Sequence, residues 1–324
     1  MRGLARLGAA ALCFASVAHA QSPPAEAFAA LPSMDSPSLS PDGKRLAFIS
    51  HGQEGGFVLV SDLENMAVTA AVDMTATKAR AVSWGNPDAL LVFAGQAVSF
   101  PGVVGQVEST APYGVDLSAR GEARIRQLLR PRQRRNAQVI GGMIALQGAQ
   151  LIGYQRDTGR VLFPMFEEGK RLLYAVDPAN DRRTRLDEGA GSTRDWVVDE
   201  SGEPLFRMDY TQRRDRFTLL AKRPRGWEAI VVETVEIPEL DLYGMNDEGE
   251  LIVGFGGEDA GRHGLHVMSD ETGAIERPFF VHETADVSGV RLDPYSNRVV
   301  GAVVVGESPV WFDDELAMHQ SLLG

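Results

Sequence analysis

Two adjacent glutamates, Glu167 and Glu168, are the residues of this sequence best placed to do chemistry. Two carboxylates that converge on an ammonium group make a strong, charge-assisted contact, so the pair could bind a ligand that carries an ammonium group. Gly169 and Lys170 follow directly, however, and this composition is also that of a solvated hairpin turn. The spacing favours the turn, and the pair remains a candidate substrate-binding site.

Three other sets of residues approach known motifs, and each departs from the pattern. Ser192 lacks the glycines two positions before and after it that a nucleophile elbow requires. His263 and His266 are three apart on a predicted strand, which sends them to opposite faces and away from a shared zinc ion. The glycine-rich run 254–261 has Asp259 where a dinucleotide-binding loop needs its third glycine. We therefore predict no catalytic residue, no cofactor and no metal ion for this chain.

The bulk composition restricts the classes of partner. The 324 residues carry 32 lysines and arginines against 44 acidic residues, a formal net charge of −12. An acidic surface argues against nucleic acids and anionic membranes as partners. With 44% hydrophobic residues, the chain is long enough to bury one large core.

The first twenty residues have the pattern of a secretory signal sequence. Arg2 and Arg6 precede an apolar stretch, and Ala-His-Ala at 18–20 fits a cleavage site. We predict cleavage after Ala20 and a periplasmic or secreted location, with a buried amino-terminal helix as the alternative. The single cysteine, Cys13, lies inside this segment, so the exported chain would contain no disulfide. A linker rich in proline, alanine and serine follows at residues 21–35.

The rest of the chain repeats a unit of short strands and tight turns. The first unit contains the turn Pro-Asp-Gly at 41–43, and apolar residues of the strands that follow fall on alternate positions: Leu46, Phe48, Val58 and Val60. Similar units begin near residues 36, 79, 150, 193, 240 and 286, a period of about 45 residues with one long gap. Four-stranded units of this period are typical of propeller blades. We predict an all-β propeller of five complete blades and a partial sixth over residues 36–324, with a β-sandwich as the alternative.

Several segments of the repeat carry expectations of their own. Residues 96–112, which contain glycine and proline, are predicted to form a loop of the second unit, and the arginine-rich residues 130–135 to form an exposed loop. Residues 315–323 have helical spacing. The tryptophans all fall in predicted strands, and we expect them to pack in the core or between blades: Trp84, Trp196, Trp227 and Trp311.

Two runs of residues resemble a known family. Ser-Pro-Asp-Gly-Lys-Arg-Leu-Ala-Phe at 40–48 and Leu-Leu-Tyr-Ala-Val-Asp at 172–177 resemble the propeller repeats of the prolyl oligopeptidase (S9) family of serine peptidases, especially its bacterial dipeptidyl/acylaminoacyl-peptidase-like branch. Residues 28–35 and 310–313 are similar to the segments that open and close that propeller. The resemblance spans residues 28–324, and TolB-like periplasmic propellers share the Ser-Pro-Asp-Gly-Lys turn.

The resemblance implies a fold and a role. In the S9 family a propeller, commonly of seven blades, precedes an α/β-hydrolase domain that carries the catalytic serine, aspartate and histidine. It implies that this chain is a truncated propeller without its hydrolase domain, which gates peptide access to an exported serine peptidase and hydrolyses nothing alone. Some dipeptidyl peptidases hold a substrate's amino terminus with paired glutamates, the role that the resemblance would give to Glu167 and Glu168.

The expected partners follow from this role. They are peptide substrates, or a hydrolase domain. We also expect self-association through an open propeller edge, with residues 299–305 as an exposed hydrophobic strand. The alternative function is a stand-alone periplasmic binding or scaffold propeller similar to TolB-like proteins.

Overall fold

The structure is a computed structural model, and it describes residues 34–52, 55–98, 105, 107–118, 124–130, 151–256 and 261–313. Four predicted features lie outside the described residues: the signal sequence, linker residues 21–33, arginine-rich residues 131–135 and the helical segment 315–323.

The described residues form six antiparallel sheets, each built from strands that are consecutive in the chain. We call these sheets blades 1 to 6. Blade 1 contains β1 (Met34–Leu39), β2 (Arg45–Gly52), β3 (Gly55–Asp62) and β4 (Val68–Asp73). Blade 2 contains β5 (Lys78–Asn86), β6 (Ala89–Val98), β7 (Val107–Asp116) and β8 (Arg124–Gln127). Blade 3 contains β9 (Gly153–Gln155), β10 (Arg160–Glu167), β11 (Lys170–Val176) and β12 (Arg183–Glu188).

The second half of the chain repeats the pattern. Blade 4 contains β13 (Thr193–Val198), β14 (Pro204–Thr211), β15 (Arg216–Arg223) and β16 (Gly226–Thr234), with a short 3-10 helix, Gln212–Arg214, between β14 and β15. Blade 5 contains β17 (Leu240–Met245), β18 (Leu251–Gly256), β19 (His263–Met268) and β20 (Ile275–Phe280). Blade 6 contains β21 (Val287–Leu292), β22 (Val299–Val304) and β23 (Val310–Trp311).

This architecture is a β-propeller, and it confirms the predicted fold class. Five sheets have four strands and the sixth has three, as the five complete blades and one partial blade of the prediction required. The first described strand begins at Met34, two residues before the predicted start of the first unit.

The predicted turn of blade 1 is present, and its side chains explain why it forms. Ser40 donates a hydrogen bond from Oγ to Oδ1 of Asp42 (2.6 Å) and accepts one from the backbone N–H of Arg45 (2.8 Å). Gly43 has a φ of +69°, a left-handed conformation that glycine adopts without strain. The local sequence therefore fixes the reversal between β1 and β2.

One prediction for blade 2 is wrong. Residues 96–112 were expected to form a loop, but β6 continues to Val98 and β7 begins at Val107, with Gln96 opposite Ser109 and Val98 opposite Val107. Pro112 lies within β7, opposite Phe93. Intrinsic strand propensity depends strongly on context. Here β6 and β7 form ten consecutive antiparallel pairs, and this pairing stabilises strands that contain glycine and proline.

The exposed edge predicted at residues 299–305 is also wrong for most of its length. β22 is the middle strand of blade 6, paired with β21 on one side and with β23 on the other. Val299 and Val304 are each 2% exposed, and Val305, beyond the end of β22, is the exposed residue. The apolar residues of this run pack on blade 5: Val299 and Ala302 belong to the core that blades 5 and 6 share.

Five apolar clusters hold neighbouring blades together face to face. Trp84 and Val60 belong to the cluster between blades 1 and 2, and Phe163 belongs to the cluster between blades 2 and 3. Corresponding clusters join blades 3 and 4, blades 4 and 5, and blades 5 and 6. Each fully buried large side chain contributes about 1.5–3 kcal/mol relative to exposure, so stacking of blades is the main stabilising force.

Candidate functional site

Two kinds of turn meet at the same end of every blade. Because consecutive strands run antiparallel, the turn after the first strand and the turn after the third strand lie on one side, and the hairpin after the second strand lies on the other. We call the first side the turn face and the second side the hairpin face. The candidate site lies on the turn face.

The turn face contains two cavities. The larger has a volume of about 670 Å³ and is lined by turns of blades 1, 2, 3 and 6, including Asp88, Tyr154, Arg156, Asp157 and Tyr295. The smaller has a volume of about 430 Å³ and is lined by turns of blades 4, 5 and 6. Both volumes lie within the range of roughly 300–1,000 Å³ that is typical of sites for small ligands. The larger cavity is the better candidate because turns of four blades line it.

Two tyrosines are among the residues that line the larger cavity. Burial raises the pKa of Tyr154, and a hydrogen bond with Ser83 partly offsets this rise. Burial also raises the pKa of Tyr295, and the nearby Asp293, Tyr154 and Asp42 raise it further. The hydroxyl of Tyr154 thus lies beside Ser83, with its ring packed on the core between blades 2 and 3. Tyr295 stays protonated at neutral pH, and its hydroxyl can donate or accept a hydrogen bond to a ligand.

The acidic residues of the cavity divide into two groups. Asp116 and Asp177 accept hydrogen bonds within their own turns, from Ser118 and from Ala179 respectively, so they stabilise the loops. The carboxylates of Asp88 and Asp157 are exposed on adjacent blades and accept no hydrogen bond in the described part of the chain. These two carboxylates are thus available to a positively charged group.

The side chain of Asn297 connects loops of blades 3, 4 and 6 on the turn face. It is 4% exposed, and its side-chain amide both accepts from the N–H of Tyr154 and donates to the C=O of Tyr154, each at 2.8 Å. The same amide donates to the C=O of Asp199 at 2.8 Å. One residue of blade 6 therefore holds the backbone of blades 3 and 4, between the two cavities.

Arginine and asparagine side chains make similar contacts at other blades of this face. Arg298 pairs with the carboxylates of Glu200 and Asp247, which raise its pKa, and it donates to the C=O of Asp247 at 2.6 Å. Asn86 donates from Nδ2 to the C=O of Gly159 at 2.9 Å. The turn face is thus a set of loops fixed by contacts between blades.

The structure places the predicted pair Glu167 and Glu168 on the hairpin face. β10 runs from Arg160, which follows Gly159 of the cavity wall, to Glu167, seven residues or roughly 23 Å away. Glu167 accepts a hydrogen bond from the hydroxyl of Tyr174 at 3.0 Å, and Glu168 is exposed with a φ of +50°. The pair therefore lies away from both cavities, and its role in substrate binding stays an untested prediction.

The two histidines of blade 5 lie in different surroundings. His263 lies 3.3 Å from a carboxylate oxygen of Asp241, and its Nδ1 lies 2.9 Å from the C=O of Val287. His266 packs edge-on against Phe255, and burial, followed by the nearby charge of His263, lowers the pKa of His266. Among the described residues there is no cluster of three or more metal-ligating side chains, and no described helix is long and apolar enough to span a membrane.

The predicted packing between blades is confirmed for Trp84, Trp196 and Trp227. The sequence did not reveal the residue that the last two share. Asp187 is 8% exposed and accepts hydrogen bonds from the indole N–H of Trp196 (3.0 Å) and of Trp227 (2.9 Å). Arg207 lies over the ring of Trp227 and 3.4 Å from Asp187. Asp209 pairs with Arg207 from the other side, at 3.3 Å. This buried charge network joins blades 3 and 4.

Comparison with known proteins gives structural likeness alone. No protein-family model matches the chain, and no curated protein matches it by sequence. Acylaminoacyl peptidase from Pyrococcus horikoshii is similar over 91% of this chain and 47% of its own, with 12% identity and a TM-score of 0.45. Dipeptidyl peptidase 4 from Porphyromonas gingivalis is similar over 90% of this chain and 47% of its own, with 10% identity and a TM-score of 0.48.

A third similar structure is itself a propeller domain. The β-propeller domain of the Trilobed protease from Pyrococcus furiosus, described as having an open velcro topology, covers 88% of this chain and 82% of its own, with 14% identity and a TM-score of 0.47. The chain spans about half the length of the two whole peptidases. Likeness at this level supports no statement about activity, and the propeller assignment rests on the six sheets themselves.

Proposed function

We propose that this chain is the peptide-access propeller of an exported S9-type serine peptidase, and that the larger cavity of the turn face is where the peptide binds. The observation that carries the proposal is that cavity, about 670 Å³ in volume and formed by the turns of four blades. The S9-like run at 40–48 supports it, because this run builds one of the cavity's turns. The chemistry of bond cleavage would belong to a separate hydrolase domain.

The cavity lining suits the amino-terminal end of a short peptide. Asp88 and Asp157 would hold the peptide ammonium group, since a carboxylate without another partner makes a strong charge-assisted hydrogen bond. Tyr295 would contact the peptide backbone through its protonated hydroxyl. Arg156, at the same cavity, would meet an acidic side chain or a carboxylate.

The Asn297 contacts would set the size limit on access. They lie between the two cavities and join three blades, so a folded protein could not pass through this face while they are intact. A short extended peptide would reach the larger cavity from outside. The propeller would thus act through access and through exclusion of water from a bound peptide, which are established roles of gating domains.

The proposal is tested by the mass and the labelling of the native protein. An antibody against the propeller would isolate the native species from a periplasmic extract, and a fluorophosphonate probe would report an activated serine. We expect a labelled species that carries a hydrolase domain, about 250 residues in addition to this propeller. An unlabelled species with the mass of the chain alone would contradict the peptidase role and favour a stand-alone binding propeller.

A further inference from the structure

The smaller cavity of the turn face has apolar side chains in its wall. Its volume is about 430 Å³, and Val198, Leu205 and Met245 are among the residues that line it. Val198 is 3% exposed, whereas Leu205 and Met245 are half-buried and pack on the apolar cluster between blades 4 and 5. The cavity therefore reaches the edge of that core, where apolar surface is still exposed to solvent.

Asn246, a buried polar residue of this cavity, is fully occupied by its own turn. Its Oδ1 accepts hydrogen bonds from the backbone N–H of Glu248 (3.1 Å) and of Glu250 (2.8 Å). Its Nδ2 donates to the carboxylates of the same two residues, at 3.3 and 2.8 Å. A side-chain amide has two donors and two acceptor sites, so this one has none left for a ligand.

Other polar side chains of the cavity are engaged in the same way. Oδ1 of Asp199 accepts hydrogen bonds from the backbone N–H of Ser201 (2.8 Å), from its hydroxyl (2.7 Å) and from the backbone N–H of Glu203 (2.9 Å). Ser296 donates from Oγ to Oδ2 of Asp293 at 2.6 Å. A ligand group in this cavity would therefore gain chiefly by burying apolar surface, and a charged group would have to break these contacts.

The two cavities are neighbours on the turn between β21 and β22. Tyr295 lines the larger cavity, and the next residue, Ser296, lines the smaller one. Asn297 follows, and its amide contacts Tyr154 of the larger cavity and Asp199 of the smaller one. Consecutive Cα atoms are about 3.8 Å apart, and an extended peptide advances roughly 3.3–3.6 Å per residue. One short peptide can therefore reach both cavities.

We infer that the smaller cavity is a subsite for a large apolar side chain of the peptide whose amino terminus lies in the larger cavity. The inference rests on the proposed function and adds the class of peptide, one with an aromatic or branched aliphatic residue close to a free amino terminus. The two cavities divide the recognition, because Asp88 and Asp157 are open to a positive charge whereas polar side chains of the smaller cavity are already engaged.

The test compares hexapeptides that differ in one residue. Each has a free amino terminus and a fluorescein label at its carboxyl end, and binding to the full chain is measured by fluorescence anisotropy. One peptide contains only serine, and the others carry a single phenylalanine at one of positions 2 to 6. We expect the peptide with phenylalanine at the matching position to bind about tenfold more tightly than the serine peptide.

Two serine variants locate the phenylalanine side chain. Ser201 at the smaller cavity and Ser118 at the larger one are both exposed, and each donates its hydroxyl to the aspartate two positions earlier, at 2.7 and 2.6 Å. In Ser201→Trp the indole would fill the smaller cavity, and the preference for phenylalanine over serine should fall below about twofold. In the matched control, Ser118→Trp, the affinities of both peptides should fall by the same factor, so the preference should stay near tenfold. Thermal unfolding shows whether both variants are folded.

The outcomes separate this inference from the proposed function. A preference below about twofold at every position would overturn the inference and leave the peptide site of the larger cavity standing. An absence of binding by all of the peptides would contradict that site and the inference with it. A preference that survives in Ser201→Trp would place the phenylalanine outside the smaller cavity and overturn the inference.

Discussion

Asn297 on the turn face and Glu168 on the hairpin face share an unfavourable backbone conformation. Their φ angles are +58° and +50°, in the left-handed region that costs most non-glycine residues about 1–2 kcal/mol and asparagine less. Asn297 is buried and makes three hydrogen bonds to blades 3 and 4, whereas Glu168 is exposed and makes none in the described structure. At Asn297 the strain is offset by contacts that join blades. At Glu168 it is offset only by the two-residue hairpin, in which Gly169 also has a positive φ of +80°.

The largest loss of stability is expected from the buried charge network between blades 3 and 4. Asp187→Ala removes the acceptor of two indole N–H groups and leaves the charge of Arg207 with Asp209 as its remaining carboxylate. We expect a loss of about 3–5 kcal/mol in the free energy of unfolding, measured in urea. The control is Asp270→Ala, which removes an exposed ion pair with Arg223 and should change stability by less than about 1 kcal/mol. Similar losses in both variants would contradict a special role for the buried network.

Asn297→Gly separates the hydrogen bonds of the turn face from the backbone strain. Glycine accepts the positive φ, so the variant should lose the hydrogen bonds alone, about 2–3 kcal/mol in the free energy of unfolding. Asn297→Ala keeps the strain without the contacts and should be about 1 kcal/mol less stable again. Urea titrations of both variants measure the two effects. A loss below about 0.5 kcal/mol in each would mean that the contacts across the propeller do not stabilise it.

Glu168→Gly should have the opposite sign on the hairpin face. Relief of the left-handed strain outweighs the greater freedom of glycine in the unfolded chain, and we expect a gain of about 0.5–1 kcal/mol. The same urea titration measures it, and Glu168→Gln, which keeps the strain, is the matched control. A destabilised glycine variant would show that Glu168 makes a contact that stabilises the hairpin.

The smallest expected effect is a dependence on pH at His266. Burial lowers its pKa in the folded state, so the unfolded chain binds this proton more readily. Its contribution to stability is complete above the ordinary histidine pKa of 6.5 and is lost as the pH falls through the lowered value. His266→Gln should therefore lose less stability than the unmodified chain between pH 7.5 and pH 5. Equal losses in both proteins would contradict this assignment.

Local patterns in the sequence predicted the blades because each blade is a local structure. The turn at Ser40, Asp42 and Gly43 and the alternation of apolar residues in the flanking strands depend on residues a few positions apart. The predicted loop at residues 96–112 made β6 and β7 too short, because proline and glycine lower strand propensity. In the structure, pairing between the two strands overrides that propensity. Blade number and strand positions could thus be predicted, and some strand lengths could not.

The candidate site could not be predicted, because it is made of distant residues. Asn297 is hydrogen-bonded to Tyr154, 143 positions away in the chain. Asp187 accepts hydrogen bonds from the indole N–H groups of two tryptophans of the next blade. No local pattern marks an asparagine that will bind another blade. The glutamate pair was a candidate site because its members are adjacent in sequence, but the structure places the pair on the face opposite the cavities.

The account is tested most directly by asking which face binds a peptide amino terminus. Binding of a fluorescent hexapeptide with a free amino terminus is compared with that of its acetylated form, in the unmodified chain and in two double variants. We predict that Asp88→Asn, Asp157→Asn lowers the affinity about tenfold, that acetylation has the same effect, and that Glu167→Gln, Glu168→Gln changes nothing. Loss of binding in the glutamate variant alone would contradict the account and move the site to the hairpin face.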